Sequence, residues 1–197
     1  MALTKVGTGT QTLTGTRPNT YTGLTTVNGG ILALSKVPGT NAVPGNVVIG
    51  AGTLQNGLDS QIPDTANVML TTATSKWTLN GRSETVANVD MQNANPTTSE
   101  GLATGTPVAG KLTVTGTLTH TLGSVTINSS GAGGQSYIDA NTLVNTGGNW
   151  VFGVGSGTQS VLVGPGGLTV GGGSTIAVDA NATCTNFISL GGDVTSV

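Results

Sequence analysis

Charge is what this 197-residue sequence has least of. Asp, Glu, Lys and Arg make up 7% of it, against roughly 25% in ordinary soluble proteins. Helix surfaces are normally dressed in Lys and Glu, so their scarcity argues against helices. The net charge of -2 gives no electrostatic hold on nucleic acid or on an acidic membrane. One cysteine, Cys184, excludes an internal disulfide. It has no basic group nearby in sequence to activate it, and reads as a small buried strand residue rather than a nucleophile. One histidine, His120, leaves a single base for any Ser-His-Asp triad. Zinc needs several His or Cys ligands, and the chain has one of each. Aromatics are 3%, and the two tryptophans, Trp77 and Trp150, lie far apart in sequence, a poor start for a sugar platform. No run of about 18 apolar residues is present, so no helix is expected to span a membrane.

What is present in quantity is threonine, close to a fifth of the chain, and glycine, at 33 residues. Threonine and valine favour strands, while glycine and asparagine favour turns. Such a composition also suits a flexible linker. The apolar residues decide between the two: they return in alternation, as in KLTVTGTLTHTL, a pattern a linker does not need. The reading is all-β with many short strands. ETVANVDMQNA comes nearest to a helical pattern, but no matching cap accompanies it.

The strands recur as short runs with Gly or Asn between them, among them LTTVNGGILAL, NVVIGAGTLQNG, KWTLNG and SVLVGPGGLTVGGG. Three Asn-Gly pairs follow such runs: Asn28-Gly29, Asn56-Gly57 and Asn80-Gly81. Both residue types tolerate the left-handed conformation of a tight corner. They suit type I′ hairpin turns or the corners of a solenoid. Asp139 and Asp179, in YIDANT and AVDANA, stand forty residues apart, two coils if one coil takes about 20 residues. About ten coils at about 4.8 Å each would make a rod of about 45 Å. The longest irregular stretch, residues 91–110, holds Asn95, Pro96 and Glu100 and reads as a loop leaving the coil. KVPGTNAVPG, residues 36–45, reads as a shorter loop. The start, MALTKVGTG, has no apolar signal core. Both ends of the sequence lie inside strand patterns, so the chain is expected to be one segment, residues 1–197, cut from something longer.

One region carries a more specific signal. Residues 3–34, LTKVGTGTQTLTGTRPNTYTGLTTVNGGILAL, contain a Leu-x-Lys-x-Gly-x-Gly run through Leu3, Lys5, Gly7 and Gly9, then an alternating strand through Leu13 and Gly15. Asn19, Tyr21 and Gly23 follow in an Asn-x-Tyr-x-Gly motif. Thr25, Thr26 and Val27 precede a glycine corner, Gly29-Gly30, and a last apolar strand through Leu32 and Leu34. This order of motifs resembles the autotransporter-associated β-strand repeat, the passenger-associated transport repeat, of bacterial secreted and surface proteins. Residues 62–90 resemble the continuation often found behind that repeat, and the rest resembles it only in style. The resemblance implies a right-handed parallel β-helix in a passenger region, located outside the cell or on its surface, with a role in passenger folding and export. The repeat has no catalytic residues to transfer.

The search for chemistry in the residues themselves is equally bare. Asp139 and Asp179, if stacked two coils apart, would lie about 10 Å from each other, near the upper limit for an inverting glycosidase pair, but without the aromatic platforms of a sugar site. The plain alternative is a turn aspartate accepting backbone N–H groups. GPGGLTVGGGST has the glycines of a calcium-binding β-roll but no aspartate in place. His120 alternates with threonines, on the side of Leu112, Val114, Leu118 and Leu122, and is expected to face inward or to end a strand. Thr8 to Thr16 and Thr113 to Thr121 form two alternating rows that resemble part of an ice-binding face, which would need the row repeated on adjacent coils. Asn128 and Asn181 fit the glycosylation sequon, read as coincidence.

The expectation is therefore a non-catalytic β-helical stalk with no cofactor and no metal. Its partners would be neighbouring modules of its own chain, and copies of itself meeting through uncapped ends. The alternative is an adhesin-type module for polysaccharide or cells, using the 91–110 loop. A polysaccharide-cleaving enzyme and an ice-binding protein rank below both.

Overall fold

The computed structural model describes residues 1–92, 101–103, 110–127, 135–152, 158–172, 174–178 and 185–196. Among them there is no helix. The first strands are β1 (Leu3–Lys5), β2 (Thr10–Gly15), β3 (Thr25–Val27), β4 (Ile31–Lys36), β5 (Val47–Ile49), β6 (Thr53–Asn56) and β7 (Asn67–Leu70). Then come β8 (Lys76–Thr78), β9 (Ser83–Val86), β10 (Asn88–Gln92), β11 (Gly101–Ala103), β12 (Lys111–Leu122) and β13 (Ser124–Ile127). The last are β14 (Gln135–Asn145), β15 (Asn149–Phe152), β16 (Thr158–Val170), β17 (Thr175–Val178), β18 (Thr185–Leu190) and β19 (Val194–Ser196).

They form two parallel sheets that the chain visits in turn. One runs β1-β3-β5-β7-β10-β12-β14-β16-β18, with β9 beside β12 and β19 beside β16. The other has eight strands, β2-β4-β6-β8-β11-β13-β15-β17. Each turn adds one rung to each sheet, which is a parallel β-helix. Backbone N–H and C=O groups are paired along the axis by the neighbouring turns.

Eight rungs in the second sheet make about seven turns, not the ten expected. The difference lies in turn length. Leu3 pairs with Thr25 and Thr25 with Val47, turns of 22 residues. Val47 pairs with Val68, a turn of 21. Farther along, Val89 pairs with Leu118, a turn of 29, and Leu143 with Leu168, a turn of 25. A 20-residue coil is too short even for the first turns, and the later ones are longer.

The alternation works as the sequence predicts. In β4 the residues Leu32 and Leu34 are buried while Ile31 and Ala33 are half-buried, and β5 and β6 repeat the pattern. The inward residues stack into ladders. One column runs Val27, Ile49, Leu70, Met91, His120, Asn145, Val170. Another runs Leu32, Leu54 and Trp77, and farther along Val125 stacks on Trp150. The near-helical stretch ETVANVDMQNA is strand at Ser83–Val86 and Asn88–Gln92. Part of the expected 91–110 loop is also strand: Leu102 pairs with Trp77 on one side and Val125 on the other. Asn95, Pro96 and Glu100 lie outside the described residues.

Candidate functional site

The motif residues of the 3–34 region act as staples. Lys5 Nζ donates to the carbonyls of Val6, Gly7 and Gly29 at 2.8, 2.9 and 3.0 Å, which joins two successive corners. Asn19 Nδ2 donates to the Ala42 carbonyl at 2.7 Å and pins the 36–45 loop. That loop is no free excursion, because Ala42 and Val43 are fully buried. Tyr21 Oη and Thr25 Oγ1 share a hydrogen bond of 2.7 Å. Gly30 turns the chain with φ 59°, and a Cβ there would collide with the carbonyls of Gly7 and Gly9. Lys5, Asn19 and Gly30 thus tie one turn to the next, and Tyr21 braces the start of β3 within its own turn.

The three Asn-Gly pairs part company in the structure. Asn80 and Gly81 both take positive φ, 50° and 74°, the corner the sequence suggests, but β8 and β9 on either side are not paired, so it is no hairpin. At Asn28-Gly29 the left-handed residue is the next one, Gly30. Asn56 ends strand β6 and is fully buried, and the chain bends from Gly57 onward without a positive φ at either residue.

Asn56 belongs instead to a buried polar network that sequence reasoning missed. Its Oδ1 accepts from Trp77 Nε1 at 2.9 Å, and its Nδ2 donates to Glu84 Oε2 at 2.6 Å. The Glu84 carboxylate also accepts from the backbone N–H of Gln61 at 2.8 Å and of Ile62 at 3.3 Å. Gln61 then holds Lys36, its Oε1 accepting from Lys36 N at 2.8 Å and its Nε2 donating to Lys36 O at 2.9 Å. Lys36, Asn56 and the Trp77–Glu84 pair come from three successive turns, so the network clamps these turns together. Burial pushes the Glu84 carboxyl up to about 7, against the pull of its N–H donors. A half-protonated buried carboxyl is a feature of many acid–base catalysts. Here every neighbour is a structural partner and the residue is 2% exposed, with no room for a substrate.

His120 lies in the lumen, fully buried, as the alternation predicts. Burial holds its imidazole down at about 4, opposed by the Gly123 backbone and the Asn145 side chain. These two groups approach the ring without good hydrogen-bond geometry. Its ring stands edge-on to Trp150, with centroids 5.6 Å apart and planes at 84°. A fully buried imidazole held neutral in this way is poorly placed to serve as a triad base.

The remaining expectations resolve by register. The residue two turns along from Asp139 is Ser189, by way of Leu162, and not Asp179. Asp179, Cys184, Asn128 and Asn181 lie outside the described residues. Among the described residues no three His, Cys, Asp or Glu gather as a metal site. The first threonine row sits on an edge strand, and its neighbours on the next rung are Ile31, Ala33 and Ser35 opposite Thr10, Thr12 and Thr14. In the second row Thr113 lies between Thr85 and Asp139, Thr117 pairs with Thr142, and Thr119 lies between Asp90 and Val144, so threonine meets threonine at some positions of that row and not at others. Trp77 and Trp150 are both inside, so neither offers a sugar platform. No helix is long and apolar enough to cross a membrane among the described residues.

A chemical ladder on the outside was also missed. Asn46 Oδ1 accepts from Asn67 N at 2.9 Å, Asn67 Oδ1 accepts from Asn88 Nδ2 at 2.7 Å, and Asn88 Oδ1 accepts from Thr117 N at 2.8 Å. The sequence carried its signal: Asn-Val recurs at 46, 67 and 88, every 21 residues.

Comparison with known proteins agrees with the resemblance over the same residues. Residues 3–34 match the family model of the passenger-associated-transport-repeat. No curated protein and no solved structure matches the chain.

Proposed function

We propose that this chain, with a passenger-associated-transport-repeat at residues 3–34, is a non-catalytic stalk segment of a bacterial passenger, exported to the cell surface. It assists the folding and export of the chain it belongs to and displays neighbouring modules. One observation carries the reading: the matched repeat supplies the first two rungs of each sheet, β1 to β4, and its last strands pair in register with those of the third turn. Thr25 pairs with Val47 and Ile31 with Thr53. A parallel solenoid grows by adding each turn to an existing edge, so a stapled turn is a template for the next. Folding outside the cell would then drive export by making each translocated turn unable to slip back.

The end strands support a stacking role. β1 and β2 each pair on one side only, and between them opens a cleft of about 550 Å³ onto the core, with Leu3, Leu13 and Leu32 in its lining. At the other end Ile188, Leu190 and Val194 are exposed. Such edges take a neighbouring coil, or a second copy, by strand addition.

The test is to fuse the chain upstream of an outer-membrane translocation barrel and measure surface exposure by protease accessibility on intact cells. Removal of residues 3–34 is expected to lower surface exposure several-fold while total synthesis is unchanged. Equal exposure with and without these residues would overturn the export role. Sedimentation of the isolated chain tests the stacking: concentration-dependent association is expected, and a strict monomer at high concentration defeats it.

A further inference from the structure

The three Asn-Gly pairs share one dipeptide and have three different surroundings. The difference bears on a reaction that asparagine undergoes without an enzyme. The backbone nitrogen of a following glycine can attack the asparagine side-chain amide, because glycine has no Cβ to obstruct the approach. The attack needs a side-chain amide that no partner holds and a next N–H not committed to a hydrogen bond. Asn56 has neither. It is fully buried, its Oδ1 accepts from Trp77 Nε1 at 2.9 Å, and its Nδ2 donates to Glu84 Oε2 at 2.6 Å. The Gly57 N–H donates to the Leu34 carbonyl at 2.7 Å. Asn28 is exposed, but its corner is held on both sides. Its own N–H donates to the Lys5 carbonyl at 2.8 Å, and the Gly29 carbonyl accepts from Lys5 Nζ at 3.0 Å. Its Oδ1 lies against Gly50 of the next turn. Asn80 meets both conditions. It is exposed, and neither its side-chain amide nor the Gly81 N–H has a hydrogen-bond partner among the described residues. Two contacts close its turn: the Arg82 N–H donates to the Leu79 carbonyl at 2.9 Å, and the Asn80 N–H donates to Thr78 Oγ1 at 3.3 Å.

We propose that Asn80 is a self-modification site, converted through a succinimide into an aspartyl or isoaspartyl residue, while the fold protects Asn56 and Asn28. Hydroxide takes the Gly81 amide proton, and the nitrogen attacks Asn80 Cγ. The N–Cγ bond forms, the Cγ–Nδ2 bond breaks, and Nδ2 leaves as ammonia with a proton from water. Water then opens the imide ring at one of its two carbonyls. Attack at Cγ breaks the new bond and leaves an aspartate. Attack at the main-chain carbonyl breaks the original peptide bond and leaves an isoaspartate, whose main chain runs on through Cβ and Cγ. Either product adds one negative charge to a chain of net charge -2. The isoaspartyl form also lengthens the corner between β8 and β9 by one carbon. The corner is an exposed turn tip, where a change of backbone is tolerated. Opening it takes the loss of the Leu79–Arg82 bond and of the long one to Thr78. Asn56 is released only when the clamp across three turns comes apart.

The test ages the full folded chain in mildly alkaline buffer, with a urea-unfolded sample beside it. Trypsin cuts after Lys36, Lys76 and Arg82, which puts each Asn-Gly pair in a peptide of its own. A sample digested at the start corrects for conversion during digestion. Mass spectrometry reads the change from amide to acid, and labelling by an isoaspartyl methyltransferase separates the isoaspartyl product from the aspartyl one. In the folded chain Asn80 is expected to convert at least about tenfold faster than Asn56, whose reaction waits for local unfolding, with Asn28 between them. In urea this ranking is expected to collapse. An acidic charge variant should accumulate on ion exchange in the parent chain and be absent from Asn80→Gly. The proposal is overturned if Asn80 stays intact in the folded chain while it converts in urea, or if Asn56 or Asn28 keeps pace with it in the folded chain. It is equally overturned if the ranking persists unchanged in urea, or if Asn80→Gly accumulates the same acidic variant.

Discussion

Glu84 and His120 are buried titratable groups displaced in opposite directions, and together they predict a hidden pH dependence. The Glu84 carboxyl stands at about 7 in the fold, raised from 4.5 by burial. Its protonated form is favoured by the native state, so its contribution to stability is greatest at acid pH and is lost as pH rises from about 4.5 to 7. A tenfold change in proton affinity is worth about 1.4 kcal/mol, so the full effect is about 3 kcal/mol. His120 stands at about 4, lowered from 6.5 by burial. Its neutral form is favoured, so its contribution is complete above about 6.5 and is lost as pH falls toward 4, again by about 3 kcal/mol. Between pH 4.5 and 6.5 the two slopes oppose each other and nearly cancel. Urea unfolding followed by tryptophan fluorescence at pH 4.5, 5.5, 6.5 and 7.5 is the assay. The parent chain is expected to be almost flat over the lower three points. Glu84→Gln keeps two of the accepted hydrogen bonds and sets an amide against the Ile62 N–H, a loss of about 1 kcal/mol. It removes the carboxyl titration, so stability should climb with pH up to 6.5. His120→Leu should do the reverse and decline from 4.5 to 7. Identical pH profiles for the parent and Glu84→Gln would refute the argument, because the raised carboxyl would then contribute nothing to folding.

Four further substitutions test the staples and the corners. Gly148 has φ 82°, and a Cβ there would come within 2.5 Å of His120 Nε2, so Gly148→Ala should cost about 2 kcal/mol or more, seen as a lowered melting temperature. Lys5→Met keeps the aliphatic stem but strips three carbonyls of their donor; a loss of about 1–2 kcal/mol is expected, with faster amide exchange at Asn28, whose N–H bonds the Lys5 carbonyl. Asn88→Ala removes two steps of the external asparagine ladder and should lower the urea midpoint by about 1 kcal/mol of stability, whereas Asn80→Gly at the exposed left-handed corner should leave it nearly unchanged.

The strands were legible because alternation is local. In KLTVTGTLTHTL each inward residue announces itself by parity, and Leu112, Val114, Leu118 and His120 are all buried. Turn length was not legible from strand spacing alone, since the chain between rungs can lengthen without disturbing a ladder. The first turns keep a period of 21 or 22 residues, and the Asn-Val recurrence records it. That recurrence stops at Asn88, and the next rung of the same sheet comes 29 residues on.

The buried polar groups were harder to read for a reason that reaches beyond this chain. Asn28-Gly29 and Asn56-Gly57 look alike in sequence, each behind an apolar-alternating run. What separates them is Glu84, 28 residues after Asn56, whose carboxylate draws the Asn56 amide inside. No local window contains both. Yet parity marks these residues once the strand is known. Glu84 shares its parity with Val86, His120 with Leu118, and Asn145 with Leu143, all buried. A polar side chain on the inward parity of a β-helix must find a partner in another turn or remain neutral. Glu84 finds partners, and His120 stays neutral with Asn145 on the next rung. In a chain so poor in charge, the inward-facing exceptions carry the specific chemistry, and the parity rule locates them before any contact is known.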